Sequence, residues 1–76
     1  MNFSLFDVVT LLKDVPEDDL RAGMVGVVVD LYTKPVMAYE VEFCDVMGRT
    51  IGQCALLPEH LRLANDTEIR ARSMQS

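Results

Sequence analysis

The sequence predicts an all-β domain, a small five-stranded SH3-like barrel with a 3-10 turn before the last strand. Three observations predict it. Residues 25–32 and 38–44 alternate side chains with the period of two that a strand imposes. Turn formers punctuate the chain at Gly23, Pro35, Gly48 and Pro58. The resulting order is strand, long loop, three strands, one helical turn and a short strand. Small barrels of that order manage their edges by curling one sheet onto itself.

The first strand is expected over Asp7–Lys13, which is rich in β-branched and aliphatic residues. Apolar residues fall on both parities there, so neither face is assigned inward. Residues 15–23 follow as a long ordered loop. Pro16 with acids after it suits a single helical or 3-10 turn. Leu20 is expected beneath the loop, and Gly23 supplies a turn position where positive φ costs little.

The second strand sets Val25, Val27, Val29 and Leu31 against Gly26, Val28, Asp30 and Tyr32. The first set is expected in the core. Gly26 within a strand signals a bulge or the close approach of another strand. In the third strand Tyr39, Val41 and Phe43 are expected inward, and Ala38, Glu40, Glu42 and Cys44 outward. Asp45-Val46-Met47-Gly48 reads as a short hairpin connection. The fourth strand, Arg49–Leu57, is ambiguous between Ile51/Ala55/Leu57 and Cys54/Leu56 as its inward set. Leu57–Leu61 reads as a 3-10 turn and Arg62-Leu63 as a short fifth strand.

The barrel domain is thus assigned to residues 1–63 and a polar tail to 64–76. Asn65 and Glu68 have the spacing of a capping box, so 66–72 is a weak helix candidate. A frayed tail is the expected state, because short isolated helices are marginal in water.

At 76 residues the chain holds one domain. A domain this small buries only about 60% of its unfolded surface. It is too small for two lobes around a deep cleft, which weighs against an enzyme. Net charge is −5 and the pI is near 4.5. Residues 1–61 hold ten acids and four bases, whereas 62–76 hold three bases and two acids. Such an acidic surface repels phosphate backbones and anionic membranes and attracts basic proteins. No basic n-region or long apolar run marks a targeting segment, so a cytoplasmic protein is expected.

Cys44 and Cys54 are expected on adjacent strands, at least three positions out of register. At about 3.3 Å per residue that separates their Cα atoms beyond the roughly 7 Å limit for a bridge. Free thiols follow. Neither a metal site nor a cofactor site can be assembled from two cysteines and His60, the single histidine. Glu40 and Glu42 share a strand face, but a flat solvated face is no sugar cleft. Gly23-Met24-Val25-Gly26 lacks the Lys and the following helix of a phosphate loop. With Tyr39 and Phe43 inward, only Tyr32 and Phe3 or Phe6 remain for an aromatic groove.

A different signal comes from apolar residues left over once the core is filled: Met24, Val28, Val36, Met37, Val46 and Met47. Flexible Met suits adaptable binding surfaces. Together with the acidic loop they define a candidate partner-binding face of Asp14, Glu17, Asp18, Asp19, Met24, Val36 and Met37. The expected function is a non-enzymatic protein-interaction module, with neutralisation of a basic toxin as one concrete version. The alternatives are a nucleic-acid- or ribosome-associated barrel using Arg21, Lys34, Arg49 and the tail arginines, and a structural homo-oligomer pairing through Val36-Met37.

Residues 5–63 also carry a resemblance. Leu5-Phe6-Asp7-Val8-Val9, Leu11–Pro16, Leu20, Gly23, Val25-Gly26, Tyr39–Phe43, Gly48-Arg49-Thr50 and Leu57–Arg62 resemble an uncharacterised family of small bacterial proteins known only as a domain of unknown function. The resemblance implies an SH3-like barrel in small bacterial or cyanobacterial proteins, and no catalytic residues. It also implies a likeness to barrel subunits that dock electron carriers, and to members of toxin-neutralising gene pairs.

Overall fold

The structure, a computed structural model, describes residues 2–45 and 47–74. It is all-β, with one antiparallel sheet and a short C-terminal helix. The strands are β1 (Val8–Leu11), β2 (Val25–Tyr32), β3 (Ala38–Cys44), β4 (Thr50–Leu56) and β5 (Leu61–Leu63). They lie in the order β4-β3-β2-β1-β5, so β4 and β5 are the two edges. A 3-10 turn at Pro58–His60 joins those edges in sequence, and a second such turn at Pro16–Asp18 lies in the β1–β2 loop. The order of strands and the 3-10 turn before the last strand are those expected from the sequence.

The core sits on one face of the sheet. Val9, Leu11, Val28, Tyr39, Val41, Phe43 and Leu56 are buried there, joined by Phe3, Val15, Leu20 and Leu61 from outside the strand centres. Phe43 anchors it. Its register partners are Gly26 on β2 and Gly52 on β4, so the ring lies in a row with a glycine on either side. A Cβ at Gly26 would stand 2.9 Å from Phe43 Cδ1 and 2.7 Å from both Val41 Cγ1 and the Glu42 carbonyl oxygen. The glycine is therefore a seat for the ring, which is the close approach expected from the sequence.

That seat reverses the expected parity of the first part of β2. Gly26 and Val28 face the core, and Val28 is fully buried. Val25, Val27 and Val29 are half-buried on or near the opposite face. The apolar count favours the odd positions because Gly26 offers no side chain to count and Asp30 is charged. The register then shifts between Val28 and Asp30, so Leu31 pairs with Tyr39 and returns to the core side. It lies too near the sheet end to be covered and is 42% exposed.

Phe3 is a second correction. It is buried rather than available for a groove, packed edge-on against Tyr39 at 5.2 Å, and its N–H donates to the Tyr39 hydroxyl oxygen at 3.0 Å. On β4 the inward set is Cys54/Leu56, with Ile51 and Ala55 exposed. Cys44 and Cys54 are free: Cys54 pairs with Val41 and Cys44 with Thr50, as the expected offset requires.

The outer face divides in two. Over β1, β5 and the start of β2 lie Thr10, Arg62 and Val25, which share one row. The helix α1 (Asp66–Met74) packs beside β2. It forms where a frayed tail was expected, and its start explains why. Asn65 Oδ1 accepts the Glu68 N–H at 2.8 Å, and Glu68 Oε1 accepts the Asn65 N–H at 2.9 Å, a complete capping box. Arg62 then grips both Glu68 oxygens at 2.8 Å, tying the helix to β5. Arg62 hydrogen bonding first, and the Asn65 N–H next, pull the Glu68 carboxyl down from 4.5 to about 2. Thr10 is buried below; it helps hold that carboxylate ionised but makes no hydrogen bond of good geometry. The other half of the outer face, over β3 and β4, carries Glu40, Glu42 and Gln53 and no helix.

Candidate functional site

The acidic residues gather on the β1–β2 loop, and local chemistry fixes that loop in place. Val15 and Leu20 form an isolated antiparallel bridge, exchanging N–H···O bonds of 2.8 and 3.1 Å. Between them the Pro16–Asp18 turn ends at Asp19, whose φ of 59° is the left-handed geometry Asp tolerates better than most residues. Asp14 Oδ1 accepts the Ala22 N–H at 2.9 Å, closing the loop from below. Leu20 is 1% exposed and lies over Gly52, where a Cβ would stand 3.0 Å from Leu20 Cδ2. Gly23 turns the chain into β2 with a φ of +95°.

Glu17, Asp18 and Asp19 project into solvent from this anchored loop. The ion pairs among the described residues are Arg49–Asp45, Arg62–Glu68 and a long His60–Glu59 contact at 3.8 Å, so none neutralises these three acids. Asp14, Pro16, Asp19, Leu20 and Arg21 line a shallow open depression on the same loop. Cys54 lies on the neighbouring part of β4. Burial first, then the nearby Asp18 carboxylate, push its thiol above the ordinary value, which keeps it protonated and unreactive.

The seven candidate residues do not form one face. Asp14, Glu17, Asp18, Asp19 and Met24 belong to the loop. Met24 is half-buried against the core, its sulfur accepting the Arg21 N–H at 3.1 Å. Val36 and Met37 lie past the far end of β2. That eight-residue strand separates the two groups by roughly 25 Å at 3.3 Å per residue. At that far end Val36 and Met37 are exposed beside Tyr32 and Leu31. Tyr32 donates to Glu40 Oε1 at 3.2 Å, and desolvation followed by that bond raises its pKa. Of the other leftover apolar residues, Val28 is core and Met47 is 72% exposed. Val46 lies outside the described residues.

The remaining candidates have structural roles. His60 sits on the second 3-10 turn, where its carbonyl accepts the Leu12 N–H. Asp45 organises the β3–β4 connection: Oδ1 accepts the Met47 and Arg49 N–H groups at 2.8 and 3.0 Å, and Oδ2 pairs with Arg49 Nε at 3.0 Å. The Arg49 backbone N–H is the main reason its carboxyl is held below the usual range. One feature had only a weak signal in sequence. Phe6 stands 75% exposed at a φ of 71°, in a turn where the Ser4 N–H donates to Asp7 Oδ2 at 2.9 Å.

These features define a small all-β domain whose most distinctive surface is an anchored, uncompensated acidic loop. The chain belongs to the family described as a domain of unknown function (DUF4926), whose model matches residues 5–63. No curated protein and no solved structure was found to match it.

Proposed function

We propose that this protein is a non-enzymatic interaction module that docks a basic protein through its β1–β2 loop. The observation that carries this reading is the loop itself. Three adjacent carboxylates, Glu17, Asp18 and Asp19, have no ion-pair partner among the described residues and are held on a segment fixed by Leu20 and the Val15–Leu20 bridge. An ordered cluster of like charge steers an oppositely charged partner and loses little entropy on binding. Leu20 forms an apolar floor to the depression beside Asp19, and Met24 packs against the core at the end of the loop. Neutralisation of a basic toxin, such as a nuclease, is the specific form this activity would take.

The test is a titration with hexalysine followed by backbone amide shifts. Residues 14–24 are expected to move, with an affinity that falls as salt rises. The triple variant Glu17→Lys, Asp18→Lys, Asp19→Asn, which keeps a residue suited to the positive φ at position 19, is expected to abolish the response. Shifts confined to Glu40 and Glu42, or an unchanged response in the triple variant, contradict the assignment.

The nucleic-acid alternative has less support. One of its basic residues, Arg49, is engaged with Asp45. A low-salt gel-shift titration separates the two readings.

A further inference from the structure

The two edges of the sheet are defended differently. β5 is three residues long and carries Arg62 at its centre, clasped to α1 through Glu68. A short, charged, covered edge resists pairing with another chain. β4 has neither the short length nor the charge, although the β1–β2 loop packs over it at Gly52. It runs seven residues, Thr50–Leu56, with neither a charged residue nor a proline, in a chain that is 25% charged. β3 occupies one side of it and no strand occupies the other. No backbone hydrogen bond beyond its ladder with β3 engages its residues among those described. Its bulge lies at one end, between the Phe43–Gly52 and Cys44–Thr50 pairs, so the stretch from Gly52 to Leu56 is regular.

The strand is also complementary to itself. In an antiparallel pairing about a two-fold axis at Gln53, that residue meets its own copy. The Gln amide is both donor and acceptor, so two such side chains satisfy each other. Ala55 then falls opposite the bulge residue Ile51 of the second copy, at the end of the regular stretch; both are exposed in the single chain. Gly52 falls opposite Cys54, without steric conflict. Glu40 and Glu42 lie one strand further back on β3. Across such a junction they stand about three strand spacings apart, roughly 14 Å, beyond the Debye length at physiological salt.

We infer that β4 is a homodimerisation edge, through which two copies of this chain join their sheets antiparallel about Gln53. Pairing would bring the two acidic loops toward each other on the core side, since Asp18 lies over Gly52. Salt should therefore strengthen this association, whereas it weakens the hexalysine contact proposed above. The two proposals are independent.

Sedimentation equilibrium of the full chain at low and high salt tests the inference. The expected result is a species of twice the 8.5 kDa chain mass that accumulates with concentration and with salt. Gln53→Lys places like charges face to face on the axis and is expected to return the monomer. Ala55→Lys is expected to do the same. Gln53 and Ala55 are exposed, so the folded state of both variants can be verified by their amide spectra. A wild-type chain that stays monomeric at high concentration and salt overturns the inference. So does a dimer that survives both lysine variants, which would move the contact elsewhere, for example to Val36 and Met37. A monomer whose β4 amides become protected only when a different protein is added also overturns self-pairing and gives the edge to that protein's strand.

Discussion

The two faces of this sheet are covered by different physics. The inner face is closed by apolar packing, with Phe43 seated between Gly26 and Gly52 and Leu20 brought over from the loop. The covered half of the outer face depends on one charged clasp, Arg62 to Glu68, supported by a capping box. Apolar burial is insensitive to salt and moderate acid, whereas an ion pair exposed at its rim is sensitive to both. The contrast teaches that the helix can leave the sheet without the sheet unfolding. Loss of Phe43 has no such local outcome.

The largest effect is therefore expected on the inner face. Phe43→Ala should cost about 3–5 kcal/mol, a large part of the roughly 5–15 kcal/mol that stabilises a small domain. Urea denaturation should show a midpoint shifted strongly downward or no folded baseline. Next is Gly26→Ala, because its Cβ meets backbone as well as side chains at 2.7 Å. Overpacking of this kind costs about 1–3 kcal/mol. A variant as stable as wild type would mean that the Phe43 ring is not seated there.

A smaller, local effect is expected in acid. Glu68 has a folded value near 2 against an ordinary 4.5. Being depressed, it contributes stability above pH 4.5, and that contribution is lost as pH falls toward 2. The α1 carbon shifts should move toward coil values across that window. A helix signal unchanged at its lower end would contradict the clasp. The smallest effect on stability belongs to the loop acids. Glu17→Lys and Asp18→Lys should each shift unfolding by within about 0.5 kcal/mol, as surface changes do, and so should Asp19→Asn, which keeps a residue tolerant of the positive φ there; the three together remove the hexalysine response.

Much of the fold was legible because period and punctuation agreed. The alternation of Tyr39, Val41 and Phe43 marked the inward face of β3, and Gly23 and Gly48 marked turns with positive φ. What escaped was relational. Gly26 has no side chain, so nothing on its own strand shows that its face receives the Phe43 ring. The bulge after Val28 changes which parity faces inward, and no residue type announces it. Phe3 is separated from Tyr39 by 36 positions, beyond any local pattern. Helix α1 had its capping box in plain view. The Arg62 grip that holds it depends on β5 lying beside β1, which only the tertiary arrangement supplies. The acidic loop was legible as a cluster of like charge, but its separation from Val36 and Met37 required the length and direction of β2.

Native-state hydrogen exchange on Glu68→Ala at neutral pH tests the division between the two faces most directly. The expected result is loss of protection for the amides of residues 68–71, with Val28, Val41 and Phe43 protected as in wild type. Simultaneous loss of protection in helix and sheet, or a helix that stays protected without its clasp, would contradict it.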